Sequence, residues 1–162
     1  MKMIVATAKD WGIGKDNDLL FSIPADMKFF RETTKGAVVI MGRKTLESFP
    51  NSAPLKNRVN IVLTKNSDYK TEAVVVTSKE DAIAEAKKYT DREVFVIGGD
   101  SIYKLFEDVC DTAYVTRVDA VAEADTFFMN LDESPDWTLS EQSEVIEDNG
   151  YKFTFCTYTK GE

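Results

Sequence analysis

The spacing of apolar positions along the chain changes several times, and each change marks an element. Short apolar runs rich in β-branched residues at 3–7, 37–41, 59–63, 73–76, 93–97 and 112–118 predict strands. Amphipathic stretches between them predict helices beginning near Pro24, Lys44, Lys79 and Asp100. Pro24 suits a first helical position, where the missing N–H would have had no partner. Ser78, followed by Glu80 and Asp81, reads as an N-cap with acids in the first turn. Strands that alternate with helices indicate an α/β fold with a largely parallel sheet. At 137–145 and 151–158 the period falls to two with no helix between, and Asp148-Asn149-Gly150 is a turn signal. These two segments predict an antiparallel hairpin at one edge of the sheet. With no repeat, low-complexity tract or long linker, residues 1–162 read as one domain.

Composition then narrows the chemistry. The chain has no histidine, which removes histidine-dependent triads and histidine-ligated zinc sites. Proton chemistry near neutral pH must rest on a carboxylate with a raised pKa, a perturbed Lys, Cys or Tyr, or water. Cys110 and Cys156 match no metal or redox spacing and read as reduced thiols of a cytoplasmic protein, with no metal. No apolar run approaches the ~20 residues of a membrane span, and the N-terminal run is too short for a signal peptide. The net charge of -8 argues against nucleic acid as a partner. The charge is uneven: residues 28–65 hold eight basic and two acidic side chains, a net of +6 against -14 for the rest. A basic island in an acidic chain suggests a site for a small polyanion, although a solvated face would look the same.

Four segments could carry function. In Ile23-Pro-Ala-Asp-Met-Lys-Phe-Phe, Asp26 would sit in the first turn of a helix beside Met27 and Phe30. The apolar neighbours favour its neutral form and the helix N-terminus favours its charge. From this segment alone, a first-turn acid that only complements the helix dipole is the better fit. In Ile40-Met-Gly-Arg-Lys-Thr45 a buried strand ends at Gly42 and a helix begins with two cations and a hydroxyl, a grouping suited to phosphate. It lacks the glycine-rich stretch of a P-loop, and surface cations at a helix start remain an alternative. In Val94-Phe-Val-Ile-Gly-Gly99 a strand runs into two glycines, which either let backbone approach a ligand or make a tight turn. Gly12-Ile13-Gly14 lacks a third glycine and reads as a flexible loop.

Taken together and in this order, these segments resemble bacterial dihydrofolate reductases. The matching pieces are Ile13-Gly14 with Asn17, Ile23 to Met27 with Phe30, Ile40 to Thr45, Glu47 to Pro50, Pro54-Leu55 with Arg58, Asn60 to Thr64, Ile97-Gly98-Gly99 with Tyr103, and Asp125 to Phe128. The resemblance implies an eight-stranded, mostly parallel central sheet with an antiparallel C-terminal edge strand and about four flanking helices. It also implies hydride transfer from NADPH to C6 of 7,8-dihydrofolate with protonation at N5, and antifolates as inhibitors. The family is usually monomeric.

The same resemblance assigns roles by position. Asp26 would be the acid that holds the pterin, supported by Thr116, with the proton reaching N5 through water. Leu19 and Phe21, in a mobile loop from Trp11 to Ile23, would close the site to bulk water. Val5, Ala6, Met27, Phe30, Ser48, Phe49, Leu55, Ile97 and Tyr103 would line the substrate pocket, and Arg58 would clamp the glutamate α-carboxylate of folate. Arg43, Lys44, Thr45 and Lys65 would take the cofactor phosphates, with Arg43 and Lys65 at the 2′-phosphate. Ala6, Ile13, Gly14, Asn17, Leu19, Gly42, Leu63, Thr64, Asn66, Ser78, Ile97, Gly98, Gly99, Asp100, Ser101, Ile102, Tyr103 and Thr126 would complete the cofactor site.

Some residues depart from the family pattern. Leu20-Phe21 stands where Pro-Trp is usual, Asn51 to Ala53 lengthen a loop, and Lys56 replaces a common proline. Asp100 puts a negative charge after Gly99, and Ala124 replaces a common glycine. Two other readings remain open from sequence. One is a relative on the same fold that reduces another heterocycle, such as the pyrimidine intermediate of riboflavin synthesis. The other is a nucleotide-binding module without turnover.

Overall fold

A computed structural model describes residues 1–161. The strands are β1 (Lys2–Thr7), β2 (Gly12–Lys15), β3 (Asp18–Leu19), β4 (Val38–Gly42), β5 (Val59–Leu63), β6 (Val74–Val76), β7 (Val94–Gly98), β8 (Thr112–Val118), β9 (Thr126–Phe127), β10 (Trp137–Gln142), β11 (Ile146–Asp148) and β12 (Tyr151–Lys160). The α-helices are α1 (Pro24–Thr34), α2 (Arg43–Glu47), α3 (Lys79–Ala86) and α4 (Asp100–Phe106). Eight strands form the central sheet in the order β10-β12-β8-β1-β7-β4-β5-β6, with β11 paired to β12. The five pairings among β8, β1, β7, β4, β5 and β6 are parallel, and β12 runs antiparallel to both β8 and β10. The antiparallel end therefore comprises the two long strands of the expected hairpin, with the first of them ending at Gln142 rather than 145.

The parallel strands read as unbroken apolar runs because both sheet faces are covered. Val38, Val39, Ile40 and Met41 of β4 are all fully buried. Alternate residues divide between the faces, so Val38 and Ile40 join one core with Met3, Val96 and Phe106, while Val39 and Met41 join another with Phe95 and Leu46. Packing on both sides leaves the ends of β1, β4, β5 and β7 free to present residues to a cleft, since ligands in open α/β sheets bind beyond strand C-termini.

The expected loop from Trp11 to Ile23 is instead partly a hairpin. β2 and β3 turn through Asp16 and Asn17, both in the left-handed region, and β2 also pairs with β9 in a separate three-stranded sheet. Gly12 and Gly14 make this approach possible. A Cβ at Gly12 would lie 2.8 Å from Cβ of Ala124, and one at Gly14 would lie 2.8 Å from Oγ1 of Thr126. Gly12-Ile13-Gly14 is thus a strand whose glycines admit the side chains of Ala124 and Thr126, not the flexible loop expected from its composition.

Candidate active site

A cleft of about 1350 Å³ runs across the C-terminal ends of the parallel strands. Every expected site residue lines it except Asn66. Asn66 instead builds the exposed turn after β5: its side chain accepts from the Asp68 amide over 3.0 Å, and its carbonyl accepts from the Tyr69 amide over 3.1 Å.

Asp26 occupies the first turn of α1, as the helix start at Pro24 predicts. The helix is held there by groups remote in sequence. Asp148 accepts from the Ala25 amide over 2.8 Å, and the Asn149 side chain donates to the Ser22 carbonyl over 2.6 Å. The α1 N-terminus thus has a carboxylate partner other than Asp26, which leaves Asp26 free to face the cleft. Burial pushes its carboxyl above the usual Asp range, opposed by a hydrogen bond from Thr116. The Thr116 hydroxyl donates to Oδ1 of Asp26 over 2.6 Å. Thr116 is itself buried in β8, in register with Ala6 of β1 on one side and Phe155 of β12 on the other. Phe29, one turn beyond Asp26, stacks on Phe155 at 4.3 Å and fixes the same helix against the sheet.

Around Asp26 the lining is apolar. Val5, Ala6, Phe30, Phe49, Leu55 and Ile97 face this part of the cleft, with Met27 and Leu19 exposed at its mouth. Phe21 packs edge-on against Tyr151 at 5.0 Å, so the unusual Leu20-Phe21 pair is anchored to the C-terminal hairpin. Tyr103 borders the cleft, but its hydroxyl is committed to the Ile4 carbonyl over 2.7 Å. Its contribution to a ligand is therefore ring surface, not a hydrogen bond.

Arg58 lies at the end of the cleft beyond Leu55. Its Nε donates to Oγ1 of Thr34 over 2.8 Å, Nη1 to the Lys56 carbonyl over 2.6 Å and Nη2 to the Arg31 carbonyl over 3.1 Å. Burial and the charge of Arg31 push its pKa below the usual value, yet a guanidinium stays charged in proteins. With five N–H groups and three used, Arg58 keeps two donors for an anion. Asn60, buried at the base of β5, ties Leu55 in place with reciprocal backbone bonds of 2.9 Å each.

The opposite end is basic and polar. Gly42 leads into Arg43, Lys44 and Thr45 at the start of α2, facing Gly98-Gly99 and the start of α4. The Gly98–Gly99 peptide is cis, and a Cβ on either glycine would sit 3.6–3.8 Å from Oγ1 of Thr45. Gly98 also has a φ of 123°, a backbone conformation that favours glycine. Asn17 of the hairpin donates to the Lys44 carbonyl over 2.9 Å, drawing β2 and β3 over the cleft. Among the described residues, neither Lys44 nor Lys65 is ion-paired, so both charges are available. Arg43 is paired with Glu47 at 2.7 Å. Ser78 caps α3 by accepting from the Asp81 amide, as its sequence context predicts.

The cleft also includes residues to which the sequence reading gave no site role: Asp18, Leu20, Phe29, Arg31, Lys56, Thr77, Lys79, Glu80, Leu105 and Asp125 among them. For Arg31 and Lys56 a signal existed, since both fall within the basic island. For Thr77, Lys79 and Glu80 the only signal was adjacency to Ser78.

Comparison with known proteins gives one consistent family. A sequence model described as dihydrofolate reductase matches residues 1–160. The chain is 39% identical over 150 residues to the dihydrofolate reductase of Bacillus subtilis, covering 91% of this chain and 87% of that protein. It is 37% identical over 177 residues to bifunctional dihydrofolate reductase-thymidylate synthase 1 of Arabidopsis thaliana, covering 98% of this chain. The chain spans only about a third of the length of that bifunctional protein, 34%. A solved structure of dihydrofolate reductase from Enterococcus faecalis, complexed with NADP(H) and RAB-propyl, superposes with a TM-score of 0.89 at 35% identity and covers 99% of this chain and 96% of that one.

Proposed function

This chain belongs to the dihydrofolate reductase family, and from that membership we propose that it reduces 7,8-dihydrofolate to 5,6,7,8-tetrahydrofolate with NADPH and so feeds one-carbon metabolism. The observation that carries this reading is Asp26: a carboxyl with a raised pKa, hydrogen-bonded to Thr116, in an apolar cleft that ends at Arg58, a guanidinium with two N–H donors left over.

The residues present fit NADPH. Lys44 and Lys65 offer unpaired positive charge, Thr45 and Ser101 offer hydroxyls, and Gly98-Gly99 present backbone without side chains. Arg43 and Lys65 would hold the 2′-phosphate, and Ile13, Gly14, Asn17, Leu63, Thr64, Ser78, Asp100, Ile102 and Thr126 would border the rest. When bound, NADPH supplies the hydride.

The chain's own residues supply position, dryness and the proton. Asp26 would accept from the pterin 2-amino group and N3, which fixes the ring's orientation in the cleft. Its raised pKa suits a group that promotes protonation at N5 near neutral pH, through water. Leu19 and Phe21 would exclude bulk water once the hairpin closes. Val5, Ala6, Met27, Phe30, Phe49, Leu55 and Ile97 would bury the pterin and aminobenzoyl rings. Arg58 would use its two free donors on the α-carboxylate of the glutamate tail, which favours folate over a heterocycle without one.

We further propose a cytoplasmic monomer without nucleic-acid or membrane partners and with antifolates as inhibitors. Its support is the charge of -8 and two buried free thiols at Cys110 and Cys156. Absorbance at 340 nm with NADPH and dihydrofolate tests the reaction. Decay that needs both compounds is the expected result. Cofactor binding without decay would reject the reaction and leave a reductase of another heterocycle or a binding module.

A further inference from the structure

Behind the proposed phosphate end of the cleft lies a cluster that its lining does not include. Glu47, at the end of α2, accepts from Nη1 of Arg43 through Oε1 at 2.7 Å and from the Tyr69 hydroxyl through Oε2 at 3.0 Å. Arg43 lines the cleft, whereas Glu47 and Tyr69 do not. Both oxygens of the Glu47 carboxylate are therefore engaged, one by the cation that faces the cleft and one by a phenol behind it.

Two features make this a device for aiming Arg43. Arg43 and Glu47 are four residues apart on a helix, which places their side chains on one face. An exposed pair of that kind is ordinarily weak and free to exchange rotamers. Tyr69 changes this, because it is half-buried against the core that includes Leu46 and Phe49, and it arrives on the turn that Asn66 builds after β5. That turn also carries Lys65 into the cleft. The phenol thus fixes the carboxylate, and the carboxylate fixes the guanidinium, from an element that holds the second cation of the same site. The pairing uses one of the five N–H groups of Arg43 and leaves Nε and Nη2 unspent for a ligand. The charges agree: Arg43 is the largest influence holding the Glu47 carboxyl below its usual range, and Tyr69 is the next.

We propose that Glu47 and Tyr69 are positioning residues that orient Arg43 toward the 2′-phosphate and thereby set the preference for NADPH over NADH. This rests on the reading of Arg43 as a 2′-phosphate ligand. A bidentate phosphate contact requires a guanidinium held in one plane, and a single positive charge without that alignment attracts phosphate but discriminates less.

The test measures KM for NADPH and for NADH, and kcat with dihydrofolate, in the full chain carrying Tyr69→Phe, Glu47→Gln, Arg43→Ala and the double change Tyr69→Phe with Arg43→Ala. Tyr69→Phe keeps the ring and every charge and removes only the hydroxyl. The expected result is a rise in KM for NADPH of about threefold to tenfold, the loss of one aligned hydrogen bond. KM for NADH and kcat at saturation should stay within about twofold. Glu47→Gln should weaken NADPH in the same direction. In the Arg43→Ala background, Tyr69→Phe should have no further effect. Equal losses for both cofactors would mean that Tyr69 is merely structural, which overturns the proposal. Tighter NADPH binding in Glu47→Gln would mean that Glu47 acts by repelling the phosphate, which also overturns it. Should Arg43→Ala leave the NADPH-to-NADH ratio unchanged, the reading of Arg43 itself fails, separately from the role of Tyr69.

Discussion

Thr116 and Asp26 are joined by a 2.6 Å hydrogen bond across 90 residues of sequence, and that bond ties the middle of the sheet to the first turn of α1. It sets two influences against each other at one carboxyl. Burial favours the protonated form and is the larger, while the hydroxyl favours the charged form and moderates the shift.

Thr116→Val keeps the shape of the side chain and removes only the moderating hydroxyl. The Asp26 pKa should rise further. If activity follows the protonated state, the alkaline limb of the kcat/KM profile should move to higher pH. Stability should respond in a linked way. A carboxyl whose folded pKa lies above its unfolded value adds stability at low pH, and that contribution is lost as pH rises through the folded value. Thermal denaturation of both proteins, followed as pH rises from the usual Asp range, should show that contribution persisting to higher pH in the variant than in the wild type. Profiles that coincide for the two proteins would contradict the assignment.

Arg58 holds three backbone and side-chain partners from α1 and its own loop, and two of its donors remain free. Arg58→Ala should therefore do two separable things. Folate affinity should fall by at least about thirtyfold, the range for losing one partner of a charged hydrogen-bonded pair, while NADPH affinity stays within about threefold. Stability should drop by about 1–2 kcal/mol as the Thr34 hydroxyl and two carbonyls lose a donor. Binding measured by fluorescence quenching and unfolding by denaturant would check both. Equal losses for the two ligands would remove the clamp.

Much of the fold was legible because its signal is local. The apolar runs at 59–63 and 112–118 coincide with β5 and β8 to the residue. The helix starts at Pro24, Lys79 and Asp100 were marked by a proline, a serine cap and a glycine pair. What sequence did not show depends on partners far away in the chain. The β2 strand is short, carries two glycines, and is completed by β9 more than a hundred residues later. The cap on α1 comes from Asp148, and the partner of Glu47 comes from Tyr69. Asp26 shows the same limit within the site. Its segment alone favoured an acid that only complements the helix dipole, and only the docking of α1 against β8 and β12 turns the side chain toward Thr116.

Arg117, a lone cation amid thirteen acids between Glu107 and Asp148, has a structural use. Its guanidinium lies 3.7 Å from the centre of the Trp11 ring and donates to Oγ1 of Thr7 and to the carbonyls of Ala8 and Lys9. Trp11, with φ of 69°, stacks on Phe128 at the base of the hairpin that carries Leu19. Arg117→Met should cost about 1–3 kcal/mol and redden tryptophan emission as water reaches Trp11. Unchanged emission and an unchanged Tm would show that the segment holds itself.

The central claim concerns Asp26, and turnover of Asp26→Asn at pH 7 tests it most directly. Asparagine keeps the size of the side chain and can still accept from Thr116, but it can neither ionise nor promote protonation of the pterin. The account predicts a fall in kcat of about 10²–10⁴, the usual contribution of a general acid or base, with NADPH affinity unchanged and a Tm no lower than wild type. Turnover within about tenfold of wild type would contradict it.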